Sequence, residues 1–119
     1  MKHMAFIFSY APHGTAFGRE GLDLILSISL TIQNISIFFI GDGIFQLIKN
    51  QKPEHILSRN YTPAFFILPL YGINKFYFCA DSLIERGFFE KDIFLLDVQV
   101  LSKNVLQKKI DECDGIINF

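Results

Sequence analysis

Three residues that together could support thiol chemistry lie at or just after the ends of separate apolar segments. His13 follows the first apolar segment, Asp42 follows the second, and Cys79 ends the third. In open parallel sheets, binding and catalytic sites form where the carboxyl ends of the strands meet. A cysteine and a histidine with an orienting carboxylate at that edge would suit nucleophilic thiolate chemistry. The simpler interpretation, which we favour, is three unrelated loop residues on the same edge.

Cys79 taken singly could carry sulfur as a persulfide, because it lies where a predicted strand becomes a helix. Amide groups at a helix N-terminus stabilise a thiolate. Asp81 lies two residues further along, however, and no Lys or Arg lies within three residues, so the local charge disfavours a thiolate. We therefore favour a buried cysteine that packs as a small apolar side chain. Cys113, on the apolar face of the last predicted helix, is interpreted in the same way.

The remaining candidates for ligand binding are weaker. Gly14, Gly18 and Gly21 match neither the G-x-G-x-x-G nor the G-x-x-x-x-G-K-[ST] nucleotide-binding spacing, so they indicate the start of a helix and close backbone packing. His3 and His55 have no partners at metal-ligand spacing. We predict no catalytic, cofactor-binding or metal-binding residue and no cofactor.

Alternating strands and helices would position these residues. Continuous apolar runs predict strands that are buried on both faces, and helical spacing of apolar residues predicts the helices between them. The predicted strands are Met4–Tyr10, Ser36–Ile40, Lys75–Cys79, Phe94–Val98 (wholly or in part) and Gly115–Phe119. The predicted helices are Arg19–Thr31, Phe45–Ile48, Asp81–Arg86 and Ser102–Cys113, with Ser102 as an N-cap. This order predicts an α/β fold, a single three-layer α/β/α domain over residues 1–119 with a mainly parallel sheet of about five strands.

The composition limits the classes of function. The formal net charge is −1 and charged residues make up 19%, so we expect no direct tight binding of nucleic acid, such as tRNA, by this chain. Hydrophobic residues reach 50% and Phe alone numbers 14, which favours apolar surface at an obligate interface. The alternative is A+T-rich coding, which enriches Phe and Ile without functional meaning.

The predicted location is the cytoplasm, with no association with a membrane. The apolar runs are far shorter than the roughly 20 residues that a membrane-spanning helix needs. The chain has two cysteines and no convincing secretion signal, which favours a reducing compartment.

The segment Thr62–Tyr71 is the strongest candidate for an interface. Most of its side chains are large and apolar, and a helix that faces one core can bury only a stripe of them. The others would meet a partner, since buried aromatic residues dominate interface energy. We predict Phe65 and Phe66 as contact residues, with the alternative that both belong to the core of the chain.

Several motifs along the chain resemble one known family. In order they are APHGTA (11–16), GREGLD (18–23), IFFIGDGIFQL (37–47), QKP (51–53), LYG (70–72) and CADSLIERG (79–87). Together they span the chain and resemble the TusC family, the DsrF-like branch of the DsrE/DsrF/DsrH superfamily. The opening motifs and the second-strand motif are specific, whereas the last is shared more widely among DsrE-like proteins. The resemblance implies the DsrE-like fold.

The resemblance also implies a non-catalytic subunit of a sulfur-relay complex. TusB-like, TusC-like and TusD-like subunits form a heterohexamer, a dimer of heterotrimers, that passes persulfide sulfur to a TusE-like protein. The sulfur serves 2-thiolation of 5-methylaminomethyl-2-thiouridine at tRNA wobble positions. The sulfur-carrying cysteine belongs to the TusD-like subunit, so no catalytic residue is carried over.

Two alternative functions stay open at this point. One is a sulfurtransferase in its own right that carries a persulfide on Cys79. The other is a small-ligand or nucleotide-binding flavodoxin-like domain, inferred from sheet topology alone, which is weak support for a function. Persulfide labelling would test the first, and an ultraviolet spectrum of the purified chain would test the second.

Overall fold

Five parallel strands form one sheet in the order β4-β3-β2-β1-β5. The structure, a computed structural model, describes residues 2–9, 17–47, 62–93 and 97–119. The strands are β1 (His3–Phe8), β2 (Asn34–Phe39), β3 (Lys75–Cys79), β4 (Val98–Leu101) and β5 (Gly115–Asn118). The α-helices are α1 (Phe17–Ile28), α2 (Ala80–Glu85) and α3 (Lys103–Asp111). Short 3₁₀ helices occupy Gly41–Gln46, Thr62–Tyr71 and Glu90–Asp92.

The three central strands are apolar because both of their faces are buried. Phe8, Phe39 and Phe78 occupy matching positions on neighbouring strands, with ring centroids 5.5 Å and 4.8 Å apart. Phe38 and Tyr77 stack in the same way at 5.0 Å. Successive residues of a strand point to opposite faces, so these two aromatic rows lie on opposite sides of the sheet. This explains the continuous apolar runs in the sequence.

The sheet separates two apolar clusters. The larger cluster takes buried side chains from α1, α2 and the first two 3₁₀ helices. The smaller cluster takes Leu106 and Ile110 from α3. Phe78 belongs to the larger cluster and Cys79 to the smaller one, as expected for adjacent residues on opposite faces. The prediction of a three-layer α/β/α fold is therefore confirmed, and every described strand pair is parallel.

Two helix boundaries follow the signals that the sequence carries. The Ser102 hydroxyl accepts a hydrogen bond from the backbone N–H of Val105 at 3.4 Å, which confirms the predicted N-cap of α3. Gly87 follows α2 with a φ of +76°, a left-handed conformation that glycine adopts without steric penalty. No helix among the described residues is long and apolar enough to cross a membrane.

Two of the predicted helices differ from the structure by three or more residues at one end, and the other two differ by one or two residues. The first is Phe17–Ile28 rather than Arg19–Thr31, and after its last residue the Ser29 hydroxyl donates to the Leu26 carbonyl oxygen at 2.7 Å. Such local bonds compete with continuation of a helix. In place of the predicted helix Phe45–Ile48 the structure has a 3₁₀ helix, Gly41–Gln46, which begins one residue after β2; residue 48 lies outside the described part of the chain.

Gly43 explains why this 3₁₀ helix begins so early. A Cβ atom at position 43 would collide with the backbone carbonyl of Phe8. The backbone N–H of Gly43 donates to the Ile40 carbonyl oxygen at 2.8 Å, which turns the chain at the end of β2. Because glycine has no side chain, the turn can pack directly on the end of β1.

The fourth strand lies further along the chain than predicted. The sequence pattern predicts Phe94–Val98, whereas β4 is Val98–Leu101, and residues 94–96 lie outside the described part of the chain. Among the described strands β4 pairs only with β3 and therefore forms an edge of the sheet. Gln99 is exposed there. A continuous apolar run is the wrong pattern for an edge strand, which is only partly buried.

Candidate functional site

The Cys79 thiol lies at the carboxyl end of β3, directly before α2. Its side chain is 5% exposed and belongs to the same apolar cluster as Leu106 and Ile110 of α3. Its register partner on β4 is Leu101, which packs against the same cluster. The thiol is therefore surrounded by apolar side chains between the sheet and α3.

The Asp81 carboxylate is directed toward α3. It accepts a hydrogen bond from the backbone N–H of Lys103, the first residue of that helix, at 3.3 Å. A carboxylate is favourable at this end of a helix because the unpaired N–H groups carry partial positive charge. In the sequence Asp81 is only a negative charge near Cys79, but in the fold it also links α2 to the start of α3.

The Asp42 carboxylate is paired with Arg86. The Nε atom of Arg86 donates to an Asp42 oxygen at 3.0 Å, and its Nη1 atom donates to the Ser82 carbonyl oxygen at 3.2 Å. The Ser82 hydroxyl accepts a hydrogen bond from the Gly41 backbone N–H at 2.8 Å. These bonds join the 3₁₀ helix after β2 to α2, so Asp42 and Arg86 stabilise the packing of these two elements.

The surroundings of Asp42 and Cys79 are therefore different. Asp42 forms an ion pair with Arg86, whereas Cys79 packs among apolar side chains beneath α3. His13, the third residue of the predicted thiol constellation, lies outside the described residues. Within residues 2–9, 17–47, 62–93 and 97–119, no group of three or more His, Cys, Asp or Glu could hold a metal ion.

Cys113 is half-buried just after α3 and packs against the smaller apolar cluster, as its place on the apolar helix face predicts. Its Sγ atom lies 3.4 Å from the Lys109 carbonyl oxygen, to which the thiol donates. Burial raises the pKa of the Cys113 thiol, and the negative charges of Asp114 and Glu112 raise it further. This thiol is held in its protonated form.

A polar cluster at the amino edge of the sheet has no signal in the sequence. The Nε2 atom of His3 lies 2.6 Å from the Ser36 hydroxyl oxygen. The His3 backbone N–H donates to the Asp114 carboxylate, and the Asp114 backbone N–H donates to the His3 carbonyl oxygen, both at 2.8 Å. His3 and Asp114 are separated by 111 positions, so only the pairing of β1 with β5 brings them together.

The surroundings of His3 disfavour its protonation. Burial lowers the pKa of His3 and the ammonium group of Lys75 lowers it further. The carboxylates of Asp114 and Glu112 oppose this effect, and Lys109 adds to it. His3 is therefore a neutral residue that joins the starts of β1, β2 and β5.

Close packing explains Gly21, the glycine of the first helix whose surroundings the structure describes. A Cβ atom on Gly21 would lie 2.7 Å from the ring of Phe8 and 2.9 Å from the ring of Phe119. This confirms the predicted close approach of α1 to its neighbours. Gly14 and His55 lie outside the described residues.

The segment Thr62–Tyr71 presents apolar side chains to the surface. Leu68 is fully buried, but Leu70 is 84% exposed, Tyr71 is 52% exposed and Ile67 is exposed as well. We call Ile67, Leu70 and Tyr71 the apolar patch. The side chains of Phe65 and Phe66, the predicted contact residues, lie outside the described part of the chain.

Comparison with known proteins places the sequence and the fold in the same family. A profile of the DsrE/DsrF-like family matches residues 2–119. Over all 119 residues the chain is 59% identical to Protein TusC of Buchnera aphidicola subsp. Baizongia pistaciae and 45% identical to Protein TusC of Klebsiella pneumoniae, with 100% of both chains covered in each case.

The solved structures agree at the level of the fold. The crystal structure of the YchN protein from E. coli superposes with a TM-score of 0.79 at 18% identity, over 100% of both chains. A protein of unknown function from Methanobacterium thermoautotrophicum superposes with a TM-score of 0.71 at 14% identity, again over 100% of both chains. Sequence similarity over the full length, joined to this shared fold, shows that the chain belongs to the DsrE/DsrF-like family.

Proposed function

We propose that this chain is a non-catalytic subunit of a cytoplasmic sulfur-relay complex that supports 2-thiolation of 5-methylaminomethyl-2-thiouridine at tRNA wobble positions. Full-length similarity to proteins named TusC carries the proposal, because identities of 44–59% extend over all 119 residues. The chain takes the TusC position beside TusB-like and TusD-like subunits in a heterohexamer. The complex in turn interacts with a TusE-like protein.

The surroundings of Cys79 support a non-catalytic role. A sulfur carrier must be reached first by a sulfur donor and then by an acceptor thiol, since each transfer is an attack by one sulfur on another. The Cys79 thiol is buried between the sheet and α3. A sulfurtransferase that carries a persulfide on Cys79 is the competing function, and it requires this thiol to become accessible.

The apolar patch supports assembly with partner subunits. Leu70 and Tyr71 are large apolar residues that a stable free chain would leave in water. Aromatic residues such as Tyr71 are enriched among those that supply most of the binding energy of protein interfaces, and burial of apolar area such as that of Leu70 favours association. Exposed Leu30, Ile84 and Phe89 add further apolar surface elsewhere on the chain.

The decisive experiment is nucleoside mass spectrometry of bulk tRNA. Cells that lack this chain should lose 2-thiouridine, and the unaltered chain should restore it. The Cys79→Ser variant should restore it nearly as well, apart from a modest fall caused by burial of a hydroxyl group. Cys113→Ser serves as the matched control because it changes the other thiol.

The abundance of the complex must be measured in the same cells. Loss of thiolation with the Cys79→Ser complex still assembled would contradict the proposal and make Cys79 a sulfur carrier. Loss of thiolation together with loss of the complex would indicate a packing defect, which Cys79→Ala then tests with a smaller apolar side chain.

A further inference from the structure

α3 is attached to the sheet by few side chains. It has nine residues, and its buried members are Leu106 and Ile110. A helix of this length is not stable in water by itself, so it depends on packing and on contacts at its ends. Leu106 and Ile110 share one apolar cluster with Cys79. Displacement of α3 would therefore expose the Cys79 thiol to solvent.

The N-terminal end of α3 is held by two long hydrogen bonds. The Ser102 hydroxyl accepts from Val105 at 3.4 Å, and the Asp81 carboxylate accepts from Lys103 at 3.3 Å. Both exceed the usual length of about 2.9–3.0 Å for such bonds, so each is weak. Asp81 is the only one of these four residues that belongs to another layer, since it lies on α2.

The C-terminal end of α3 is held by shorter hydrogen bonds. Asp114, three residues beyond the helix, exchanges two hydrogen bonds of 2.8 Å with His3 of β1. The next residue, Gly115, begins β5, which pairs with β1. The ammonium group of Lys109 also lies 5.2 Å from the ring centroid of Tyr77, a favourable cation–π distance. The N-terminal end is also tied to the sheet, because Ser102 is the only residue between β4 and α3. The helix is therefore attached to a strand at both ends, and the long hydrogen bonds of Ser102 and Asp81 lie at its start.

We propose that α3 is a releasable cover over the Cys79 thiol, and that Ser102 and Asp81 control how often it opens. The closed helix keeps the thiol away from sulfur donors and oxidants. Local openings of this kind have a lower free energy than global unfolding and occur where few apolar contacts hold an element. This inference goes beyond the proposed subunit role, and it rests on that role only for the co-expressed partner subunits used in its test.

The test measures the rate at which N-ethylmaleimide labels Cys79 in the full-length chain, purified with its co-expressed partner subunits. Mass spectrometry of the labelled peptides separates Cys79 from Cys113. Ser102→Ala should raise the Cys79 rate about fivefold, as expected for loss of an N-cap. Asp81→Ala should raise it about two- to fivefold through loss of the charge at the helix N-terminus.

The matched control is Asp42→Ala, which removes a carboxylate that pairs with Arg86 just after α2. It should leave the Cys79 rate unchanged even if it lowers the global stability. In low concentrations of urea the Cys79 rate should rise only slightly, because opening of one helix exposes little surface. Circular dichroism confirms that every variant is folded, and size measurement of the complex reports on assembly separately.

Three results would overturn the proposal. The first is labelling of Cys79 in the unaltered chain as fast as an unstructured cysteine peptide, which would show that α3 does not cover it. The second is a Cys79 rate that neither Ser102→Ala nor Asp81→Ala changes. The third is a steep urea dependence equal to that of global unfolding, which would show that the thiol is exposed only when the whole domain unfolds.

Discussion

Leu70→Asp should prevent assembly with the partner subunits and leave the fold of the chain intact. Leu70 is 84% exposed, so its replacement removes little buried surface, and we expect the free energy of unfolding to change by no more than about 0.5 kcal/mol. In an interface, the change removes an apolar anchor and places a carboxylate in an apolar contact. A loss of at least about 2 kcal/mol of binding free energy, or about 30-fold in Kd, is then expected.

Leu68 provides a matched contrast within the same segment. It is fully buried, and Leu68→Ala should lower the free energy of unfolding by about 2–5 kcal/mol because it leaves a cavity in the core. Urea unfolding measures the stability of each variant, and sedimentation of the co-expressed complex measures assembly. Leu70→Asp should therefore reduce assembly alone, whereas Leu68→Ala should lower the free energy of unfolding.

Normal assembly of the Leu70→Asp variant would refute the argument that the apolar patch meets a partner. Tyr71→Asp tests the same patch independently and should also prevent assembly, since Tyr71 is more than half exposed. Phe65→Asp and Phe66→Asp test the contact residues predicted from the sequence. If both of these variants assemble normally, the predicted interface does not include their side chains.

Two further predictions concern the fold. Gly43→Ala should lower the free energy of unfolding by at least about 3 kcal/mol, because its Cβ atom collides with the backbone of Phe8. A Cβ atom at position 87 would meet open space, so Gly87→Ala should lower the free energy of unfolding by only about 1–2 kcal/mol, from the positive φ alone. Equal losses of stability in the two variants, measured by urea unfolding, would contradict this reasoning. Because the folded state lowers the pKa of His3 below the ordinary 6.5, the stability that His3 provides is present above pH 6.5 and is lost as the pH falls below it. The free energy of unfolding should therefore fall less steeply between pH 7 and pH 5 in His3→Gln than in the unaltered chain, and identical slopes would refute a role for His3.

The sequence was sufficient to predict the layers of the fold. The runs that form β1, β2 and β3 are mostly apolar at consecutive positions, which is typical of strands that are covered on both faces. Alternation of such runs with helical segments requires parallel strands, because each helix returns the chain to the same edge. The N-cap Ser102 and the helix-ending Gly87 were predictable for a similar reason, since each acts on residues next to it in sequence.

Contacts between residues far apart in the chain were not predictable in this way. Asp42 and Arg86 are separated by 44 positions, and His3 and Asp114 by 111. Many residues along the chain have suitable charges, and only the strand order and register select these pairs. The position of β4 was also missed, because an edge strand is only partly buried and carries fewer apolar residues than the run 94–98 that the sequence pattern selects.

Cys79 shows most clearly which properties follow from the local sequence and which follow from the tertiary structure. Its place at the end of a strand and before a helix could be read from local pattern, and so could the nearby negative charge of Asp81. Strand alternation places the side chains of Cys79 and Phe78 on opposite faces of the sheet, but it does not determine which of the two faces α3 covers. Packing of α3 on the Cys79 face decided that the thiol is buried, and it also brought Asp81 to the start of that helix. Burial and the partners of a charge depend on the whole arrangement of layers, so they were decided only by the tertiary structure.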